Sequence, residues 1–237
     1  MKVIKVKNSD ELGVSAAEFV SERLMSLEKP IIGLATGSTP EKLYANLIKK
    51  CQSKEISFKN VTTFNLDEYV GLAQDDPTSY HYYMDKNLFN GIDIKRENTH
   101  VLDGEAEDLQ KECDHFERLI QETGKMDLQI LGLGLNGHIG FNEPGTSFNS
   151  RTHIVELSET TIKANARFFP TIQDVPTKAL TMGIGTIMEA KEILFLVQGE
   201  HKAEILQKVV HGKVTEEVPA SILQRHPNIT LITDIDI

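Results

Sequence analysis

Two segments of the chain carry residue types that could move protons. In the first, the adjacent acids Asp67 and Glu68 follow an apolar run and lie between Asn65 and Tyr69. A carboxylate at the end of a strand could act as a general base toward a bound molecule. A surface turn with two solvated acids would give the same pattern, and the residues alone do not say which acid would act.

The second segment is a glycine-rich loop that contains one imidazole and one carboxylate. It spans residues 131–145 and places His138 five residues before Glu143. Three of its glycines fit the G-x-G-x-x-G fingerprint of a dinucleotide site, namely Gly132, Gly134 and Gly137. That fingerprint requires a helix that starts within it, whereas Gly140 and Pro144 would interrupt a helix here. The pattern therefore favours a loop built around a ligand, with His138 in a functional role.

A third segment has the residues of a phosphate-binding turn. An apolar run passes into Gly37, Ser38 and Thr39, followed by Pro40 at the expected first helical position and Glu41 in the first turn. Glycine lets the backbone approach a ligand, hydroxyls can donate hydrogen bonds, and a helix N-terminus favours an anion. An ordinary strand-to-helix turn capped by Thr39 would explain the same residues.

Two basic residues could complete an anion site. Arg167 lies between Ala166 and two phenylalanines, and Lys202 follows shortly after an apolar run. A guanidinium can bind a phosphate through two parallel hydrogen bonds, and an ammonium acts as a point charge. Each residue taken singly could also be an exposed charge on a helix.

The elements that must position these residues alternate between short apolar runs and longer amphipathic stretches. The predicted strands are Val3–Val6, Ile31–Leu34, Val61–Phe64, Thr99–Leu102, Leu128–Leu133, Ala179–Met182, Ile193–Val197 and Ile229–Ile232. The predicted helices are Asp10–Leu27, Glu41–Lys50, Ser79–Leu88, Glu105–Glu122 and Glu200–Val210. Apolar runs without alternation are typical of strands covered on both faces. The order predicts an α/β fold, a doubly wound, mostly parallel open sheet with helices on both faces, as in Rossmann-like proteins.

No linker interrupts this alternation, so residues 1–237 are expected to form a single domain. The less regular stretch 151–178 contains Pro170 and Pro176 and is a candidate lid. In an open parallel sheet, ligands bind beyond the carboxyl ends of the strands. We therefore expect the site at the edge of the sheet where the unusual segments follow their strands.

Charge and composition argue against several classes of protein. The 237 residues carry a net charge of −10, which disfavours a general binder of nucleic acid or of an anionic membrane surface. The N-terminus offers no apolar core for a signal peptide, and no stretch is long and apolar enough to span a bilayer. Cys51 and Cys113 are expected to be reduced thiols of a cytoplasmic protein. No residue spacing indicates a metal site.

Taken in order, these motifs resemble the glucosamine-6-phosphate deaminase family. The resemblance rests on residues 35–40, 65–71 and 137–144, and it continues through 150–152, 165–169, 179–186 and 202–203. It implies ring opening of glucosamine 6-phosphate, an aldose–ketose isomerisation and loss of ammonia to give fructose 6-phosphate. It also implies that no metal or organic cofactor takes part.

The resemblance assigns a role to each matching residue. Asp67 would take the proton from C2 and return it at C1, and His138 would carry a proton from the anomeric hydroxyl to the ring oxygen. Glu143 would orient the imidazole and stabilise its cation. The phosphate would bind to one turn and two basic side chains, namely Gly37, Ser38, Thr39, Arg167 and Lys202.

One catalytic position and one regulatory region depart from part of the family. Asn136 stands where some members have an Asp; its amide could accept a hydrogen bond from the imidazole but carries no charge. More of the stabilisation of the imidazole cation would then fall to Glu143. Longer, hexameric members bind an activator through basic residues and a C-terminal extension that have no counterpart here. A monomer with hyperbolic kinetics is therefore expected.

Two other functions share parts of this pattern. 6-Phosphogluconolactonase shares the fold and a sugar-phosphate site, but it hydrolyses a lactone and does not need Asp67 as a base. A non-catalytic sugar-phosphate sensor, like the ligand domains of some transcription regulators, would carry a DNA-binding segment, and this chain has no spare basic segment for one. The pattern therefore predicts an enzyme, and release of ammonia would separate it from both rivals.

Overall fold

The computed structural model describes residues 1–237. Its strands are β1 (Lys2–Lys5), β2 (Ile31–Leu34), β3 (Thr62–Asn65), β4 (Asp67–Tyr69), β5 (Thr99–His100), β6 (Leu128–Leu131), β7 (His153–Glu156), β8 (Lys178–Thr181), β9 (Ile193–Val197) and β10 (Ile229–Thr233). Its α-helices are α1 (Ser9–Ser26), α2 (Glu41–Gln52), α3 (Tyr80–Asn87), α4 (Leu109–Thr123), α5 (Glu159–Asn165), α6 (Ile184–Met188) and α7 (Ala203–His211). Short 3-10 helices lie at Phe89–Gly91, Arg96–Asn98, Ala166–Phe168, Ile172–Asp174, Glu200–Lys202 and Pro219–Arg225.

Seven of the strands form one parallel sheet in the order β1-β10-β9-β6-β2-β3-β5. Its central strands β6 and β9 are buried at every residue, because both faces of the sheet are covered. Helix α1 packs against α2 and against β9 and β10. The predicted fold class, a doubly wound and mostly parallel α/β sheet, is confirmed.

The order of the strands creates a crevice in the middle of the sheet. β3 and β5 extend the sheet beyond β2, whereas β9, β10 and β1 extend it beyond β6. Since β2 and β6 are neighbours, the connections that leave their carboxyl ends diverge at this point. The turn 35–40 follows β2 and the glycine-rich loop follows β6. Both segments that the sequence marks as unusual therefore border the crevice.

A second, antiparallel sheet has the strand order β4-β8-β7. The prediction that placed Ala179–Met182 in the parallel sheet is wrong, because this run forms β8 and pairs with β4 on one side and β7 on the other. The sequence did not predict β4 or β7. The stretch 151–178, expected to be less regular, contains β7, α5 and two of the 3-10 helices. Its role as a lid stays a prediction.

The small sheet is joined to the glycine-rich loop by an apolar cluster of its own. Tyr69 of β4 and Ala179 of β8 pack with Leu157 and Phe141, all of which are buried. Phe141 belongs to the glycine-rich loop, so this cluster holds the loop against the small sheet. None of the helices has the length and apolar character that a membrane crossing requires.

Four of the helices begin with a side chain that accepts backbone hydrogen bonds, namely Asn8 for α1, Ser79 for α3, Asp108 for α4 and Ser158 for α5. Helix α2 differs, because its N-cap is Pro40 and no side chain caps it. The prediction of Pro40 as the first helical residue is therefore wrong by one position, and Thr39 is not the cap. The first backbone N–H groups of α2 have no side-chain acceptor, which is the arrangement in which a helix N-terminus can bind an anion.

Candidate active site

A cavity of about 300 Å³ lies at the carboxyl ends of β2 and β6. It brings together residues that are far apart in the chain. Of the residues predicted from the sequence, its walls include Gly37, Ser38, Thr39, Asp67, His138, Arg167 and Lys202. Asn136 and Glu143 do not line the cavity, but each of them contacts His138, which does.

The two adjacent acids of β4 point to opposite sides, as successive residues of a strand do. Asp67 faces the cavity and is only 5% exposed. Glu68 is 1% exposed and accepts hydrogen bonds from the backbone N–H groups of Tyr80 and His81, at 3.0 and 2.9 Å. Asp67 is therefore the acid that can reach a bound molecule, and Glu68 is tied to the start of α3.

The surroundings of Asp67 disfavour its negative charge. Burial, and then the neighbouring charge of Glu68, raise the pKa of Asp67 from 3.8 to about 8. A general base is most effective when its pKa lies near the working pH. Asp67 is therefore a stronger base than an ordinary carboxylate and remains able to ionise under mildly alkaline conditions.

The glycine-rich loop folds back on itself and starts no helix. The N–H of Gly134 donates to the carbonyl oxygen of His138 at 2.9 Å, and the N–H of Gly137 donates to that of Gly134 at 3.0 Å. Gly137 has a φ of +89°, in the left-handed region that favours glycine. A Cβ at Gly134 would lie 2.3 Å from imidazole atoms of His138. The loop therefore seats an imidazole, and the dinucleotide interpretation fails.

Glu143 stands behind the imidazole. Its Oε2 lies 3.7 Å from Nδ1 of His138, at ion-pair distance, while Oε1 accepts from Thr161 Oγ1 at 2.5 Å and from the N–H of Ser158 at 3.2 Å. Burial raises the pKa of Glu143, but the imidazole and the hydrogen bond from Thr161 outweigh it and lower the pKa to about 2. Glu143 is therefore ionised at neutral pH and can orient and stabilise an imidazolium.

Asn136 contacts the carboxylate instead of the imidazole. Its Nδ2 donates to Oε2 of Glu143 at 2.6 Å, and its Oδ1 accepts from the backbone N–H of His138 at 3.3 Å. The suggestion that its amide accepts a hydrogen bond from the imidazole is therefore not what the structure shows. The amide instead fixes the position of Glu143 relative to His138.

Two cationic side chains meet at one part of the cavity. Arg167 Nη2 donates to Ser38 Oγ at 3.3 Å, and Lys202 Nζ donates to the carbonyl oxygen of Leu133 at 2.6 Å. Burial, and then the nearby charge of Arg167, lower the pKa of Lys202 to about 8. Arg167 and Lys202 repel each other, and both lie near the uncapped N-terminus of α2. An anion bound between these groups would therefore be stabilised.

The turn after β2 has the backbone shape that this anion site requires. Gly37 has a φ of +85°, and a side chain at that position would enter open space. Its carbonyl oxygen accepts a hydrogen bond from the hydroxyl of Tyr83 at 2.6 Å, which fixes the turn to α3. Thr39 is 9% exposed and lies on the cavity wall. The turn thus presents backbone and hydroxyl groups to the cavity.

Sequence reasoning missed three residues of this site, namely Tyr80, Ser158 and Thr161. Tyr80 is the first residue of α3 and lies on the cavity wall. Thr161 contacts both members of the pair behind the cavity, with its Oγ1 3.5 Å from Nδ1 of His138. A Ser followed three residues later by a Thr signals only an ordinary helix start, so the sequence could not single them out.

Potential metal ligands are scattered over the molecule. No group of three or more His, Cys, Asp or Glu side chains is arranged to hold a metal ion. Both cysteines are unpaired. Burial raises the pKa of the Cys113 thiol to about 11, which makes this residue an inert part of the core.

A comparison with known proteins connects this fold and site to one family. The family model described as glucosamine-6-phosphate isomerases/6-phosphogluconolactonase matches residues 7–232. The chain belongs to this family. The resemblance inferred from the motifs is thereby confirmed.

Within the glucosamine-6-phosphate isomerase/6-phosphogluconolactonase family, similar proteins share one name. The glucosamine-6-phosphate deaminase of Oceanobacillus iheyensis is 56% identical over 99% of this chain and 94% of its own. Glucosamine-6-phosphate deaminase 1 of Bacillus subtilis is 49% identical over 99% of this chain and 97% of its own. A solved structure of a monomeric glucosamine-6-phosphate deaminase has a TM-score of 0.97 at 48% identity, covering 98% of this chain and 97% of that one.

The other branch of the family is more distant. The 6-phosphogluconolactonase of Thermotoga maritima has a TM-score of 0.76 at 21% identity, covering 98% of this chain and 96% of that one. A likeness at this level of identity shows the shared fold alone. The fold is therefore common to both branches, and the residues of the cavity must decide between them.

Proposed function

We propose that this chain is a glucosamine-6-phosphate deaminase, which converts glucosamine 6-phosphate and water into fructose 6-phosphate and ammonia. The observation that carries the proposal is that one cavity is lined by a buried carboxyl, by an imidazole with a carboxylate behind it, and by two cationic side chains that would bind an anion. Relatives of that name match almost the whole chain at 56% and 49% identity. A lactonase would have no use for the carboxyl of Asp67 as a base.

The anion site positions the substrate. Ser38, Arg167 and Lys202 bind the phosphate together with the start of α2, so the net charge of −10 is overcome by a local group of donors. A phosphate held at this end of the cavity leaves the sugar carbons to lie against Asp67 and His138. Orientation of this kind lowers the barrier because the reacting groups are already in place.

His138 opens the sugar ring. Its imidazole accepts the proton of the anomeric hydroxyl and delivers a proton to the ring oxygen, so the bond between C1 and that oxygen breaks and C1 becomes an aldehyde. Between the two transfers the imidazole is a cation, which Glu143 stabilises from behind at Nδ1. Asn136 and Thr161 keep the carboxylate of Glu143 in position.

Asp67 carries out the isomerisation. Its carboxylate removes the proton from C2, the C–H electron pair forms a double bond between C1 and C2, and the aldehyde oxygen takes a proton from the ammonium group of the substrate. Asp67 then returns its proton to C1, which leaves an iminium at C2. Water adds to this carbon, the C–N bond breaks, and ammonium leaves with a ketone at C2.

We further propose that residues 1–237 act as one domain and as a monomer in the cytoplasm. The full-length likeness to the monomeric deaminase supports the monomer, and two unpaired cysteines suit a reducing compartment. Segment 151–178 carries Arg167 and the 44% exposed Phe168 to the cavity. These contacts support closure of that segment over a bound sugar phosphate.

The proposal is tested by supplying glucosamine 6-phosphate to the purified chain and measuring ammonia and fructose 6-phosphate together. Equal amounts of both products are expected. Asp67→Asn keeps the shape of the side chain but removes the base, so kcat should fall by about 10² to 10⁴. Asp75→Asn, at an exposed position in the segment that follows β4, is the matched control and should retain native kcat.

Two results would overturn the proposal. A folded chain that binds the sugar phosphate without releasing ammonia would support the sensor. Hydrolysis of 6-phosphogluconolactone, without ammonia from the amino sugar, would support the lactonase. If products form and Asp67→Asn matches Asp75→Asn, the reaction stands but Asp67 is not its base.

A further inference from the structure

Glu68 is a buried carboxylate whose two oxygens each face two donors. Oε1 accepts from the N–H groups of Tyr69 and Tyr80 at 2.8 and 3.0 Å. Oε2 accepts from the N–H of His81 at 2.9 Å and lies 2.9 Å from its Nδ1. Because an ionised carboxylate only accepts, Nδ1 must carry a proton. Four donors around a side chain that is 1% exposed stabilise its negative charge.

Capping of α3 does not by itself require this carboxylate. Ser79 already caps the helix and accepts from the N–H of Tyr82 at 3.1 Å. A second acid buried directly beside Asp67 is unfavourable, because two negative charges in a medium of low dielectric constant repel each other. A neutral acceptor at position 68 would avoid that repulsion. The charge of Glu68 therefore needs another explanation, and its effect on Asp67 supplies one.

The contacts of Glu68 link the base to the wall of the cavity. Glu68 follows Asp67 in β4, and it is hydrogen-bonded to Tyr80, whose side chain lies on the cavity wall. Both carboxyls are buried, so the repulsion between them is screened much less than between exposed charges. Burial raises the pKa of Asp67 most, and the negative charge of Glu68 raises it further.

We propose that Glu68 is a positioning residue for the deamination, which places a fixed negative charge next to Asp67 in β4 and holds the start of α3, with Tyr80, at the cavity wall. His81 is its partner, because Nδ1 of its imidazole lies 2.9 Å from Oε2 of Glu68. The kinetic part of this inference rests on the function proposed above. The effect on the ionisation of Asp67 does not.

Other ionisable groups near the two acids must be considered in any dependence on pH. The ionisable groups that line the cavity with Asp67, or whose own pKa responds to its charge, are Tyr44 of α2, Tyr69, Tyr80, His138, Arg167, His201 and Lys202. The groups that line a second cavity with His81 are Asp85, Arg96, His100, Glu112 and His115. The tyrosines stay neutral, because burial raises the pKa of each of the three. The variants below leave all the groups of the first set unchanged.

The ionisation of Asp67 can be followed directly by carbon NMR of the chain labelled at aspartate carboxyls, with the signal assigned by its loss in Asp67→Asn. In Glu68→Gln the neighbouring charge is gone and the shape is kept. Asp67 should then titrate about one to two pH units lower than in the native chain. The acid limb of kcat should shift in the same direction, and kcat above that limb should fall roughly 3- to 10-fold, because a weaker base abstracts the proton less readily.

Two control variants separate charge from structure. Glu68→Asp keeps the charge but cannot reach α3 in the same way, and Ser79→Ala removes a cap of α3 without touching Glu68. Both perturb the start of the helix, and both should leave the titration of Asp67 near its native position. His81→Lys is a second route if Glu68→Gln fails to fold, because a permanent cation beside Glu68 should also shift the titration of Asp67 to lower pH.

The outcomes decide between charge and packing. Titration of Asp67 at its native pH in Glu68→Gln, or in His81→Lys where Glu68→Gln does not fold, would overturn the inference. Equal shifts in Glu68→Gln, Glu68→Asp and Ser79→Ala would assign Glu68 a structural role only, which also overturns it. If the native chain releases no ammonia, the proposed function fails, while the NMR titration still confirms or overturns the effect of Glu68 on Asp67.

Discussion

Burial and Arg167 lower the pKa of Lys202 to about 8, whereas a bound phosphate dianion would raise it. Above pH 8 the free chain loses this charge, so substrate can bind tightly only with uptake of a proton. We therefore expect KM for glucosamine 6-phosphate to rise as the pH increases beyond 8. Lys202→Arg stays charged throughout this range, and its KM should lack the alkaline rise.

A companion variant controls for the loss of the side-chain contact itself. Lys202→Gln has no charge at any pH, so its KM should be about 10-fold or more above the native KM at neutral pH and should lack the rise beyond pH 8. The measurement is KM as a function of pH for the native chain and the two variants. A native KM that stays constant between pH 7 and 9.5 would show that Lys202 remains charged in the free chain.

Asp67 and Glu143 illustrate how residue type alone underdetermines a role. The same functional group has a pKa of about 8 at Asp67, where burial and a like charge dominate, and of about 2 at Glu143, where an imidazole and hydroxyl and amide donors surround it. The first is suited to receive a proton, and the second is suited to remain an anion behind a cation. The different pKa values of these two carboxyls, and the different roles proposed for them, follow from their neighbours in the structure and not from their sequence motifs.

At the scale of elements, the glycine-rich loop matters because of the room it leaves for His138. A Cβ at Gly134 would lie 2.3 to 2.4 Å from three imidazole atoms, and the backbone of Gly134 has no positive φ. Gly134→Ala should therefore displace the imidazole without unfolding the loop. Because a shift of about 1 Å can cost about 100-fold in rate, we expect kcat to fall by roughly that factor.

Gly132 offers a matched comparison in the same loop, since a Cβ there meets nothing within 4 Å. Gly132→Ala should leave the imidazole signals of His138 at their native NMR positions, whereas Gly134→Ala should move them. A smaller loss of kcat is expected for Gly132→Ala than for Gly134→Ala. Unmoved imidazole signals in Gly134→Ala would show that the loop, and not the ring, absorbs the added methyl group.

Much of the architecture could be predicted because buried parallel strands are continuous apolar runs. Ile31–Leu34 and Ile193–Val197 were predicted with the bounds that the structure has. The strands Asp67–Tyr69 and His153–Glu156 were missed, because they are short and carry polar residues, and only pairing with β8 makes them strands. The wrong sheet for Ala179–Met182 has the same cause, since an apolar run does not reveal the direction of its partners.

The predicted site came together for a related reason. Its main residues follow strands of one parallel sheet, so the topology alone brings the turn after β2 and the glycine-rich loop to one edge. Thr161 and Tyr80 could not be found in this way, because each is an ordinary residue of a helix start. The roles proposed for Asp67 and Glu68 also required the structure, since only the direction of each side chain separates the proposed base from its neighbour.

At the scale of the whole molecule, the chain is expected to act alone. The stretch 152–155, where the resemblance places basic residues of an activator site in longer relatives, contains no Lys or Arg in this chain. Light scattering should give the mass of one 237-residue chain. Plots of rate against glucosamine 6-phosphate should be hyperbolic and unchanged by N-acetylglucosamine 6-phosphate. A sigmoidal plot that this compound makes hyperbolic would contradict the expectation.

The raised pKa of Asp67 also links activity to the stability of the whole fold. Between its unfolded value of 3.8 and about 8, the folded chain keeps a proton that the unfolded chain has released. The contribution of Asp67 to stability therefore falls as pH rises through this window and is least favourable above pH 8. Asp67→Asn does not titrate, so its Tm should rise relative to that of the native chain as the pH increases from 4 to 9.

The rise in the Tm of Asp67→Asn over that of the native chain is measurable by calorimetry, because each kcal/mol in the free energy of unfolding shifts Tm by about 2 to 4 °C in a chain of this length. Asp75→Asn, at an exposed position, should show no such trend with pH. A constant difference in Tm between Asp67→Asn and the native chain at all pH values would mean that Asp67 ionises as freely in the fold as outside it. The expected trend would instead show that the ionisation of Asp67, which its proposed role as the base requires, also weakens the fold.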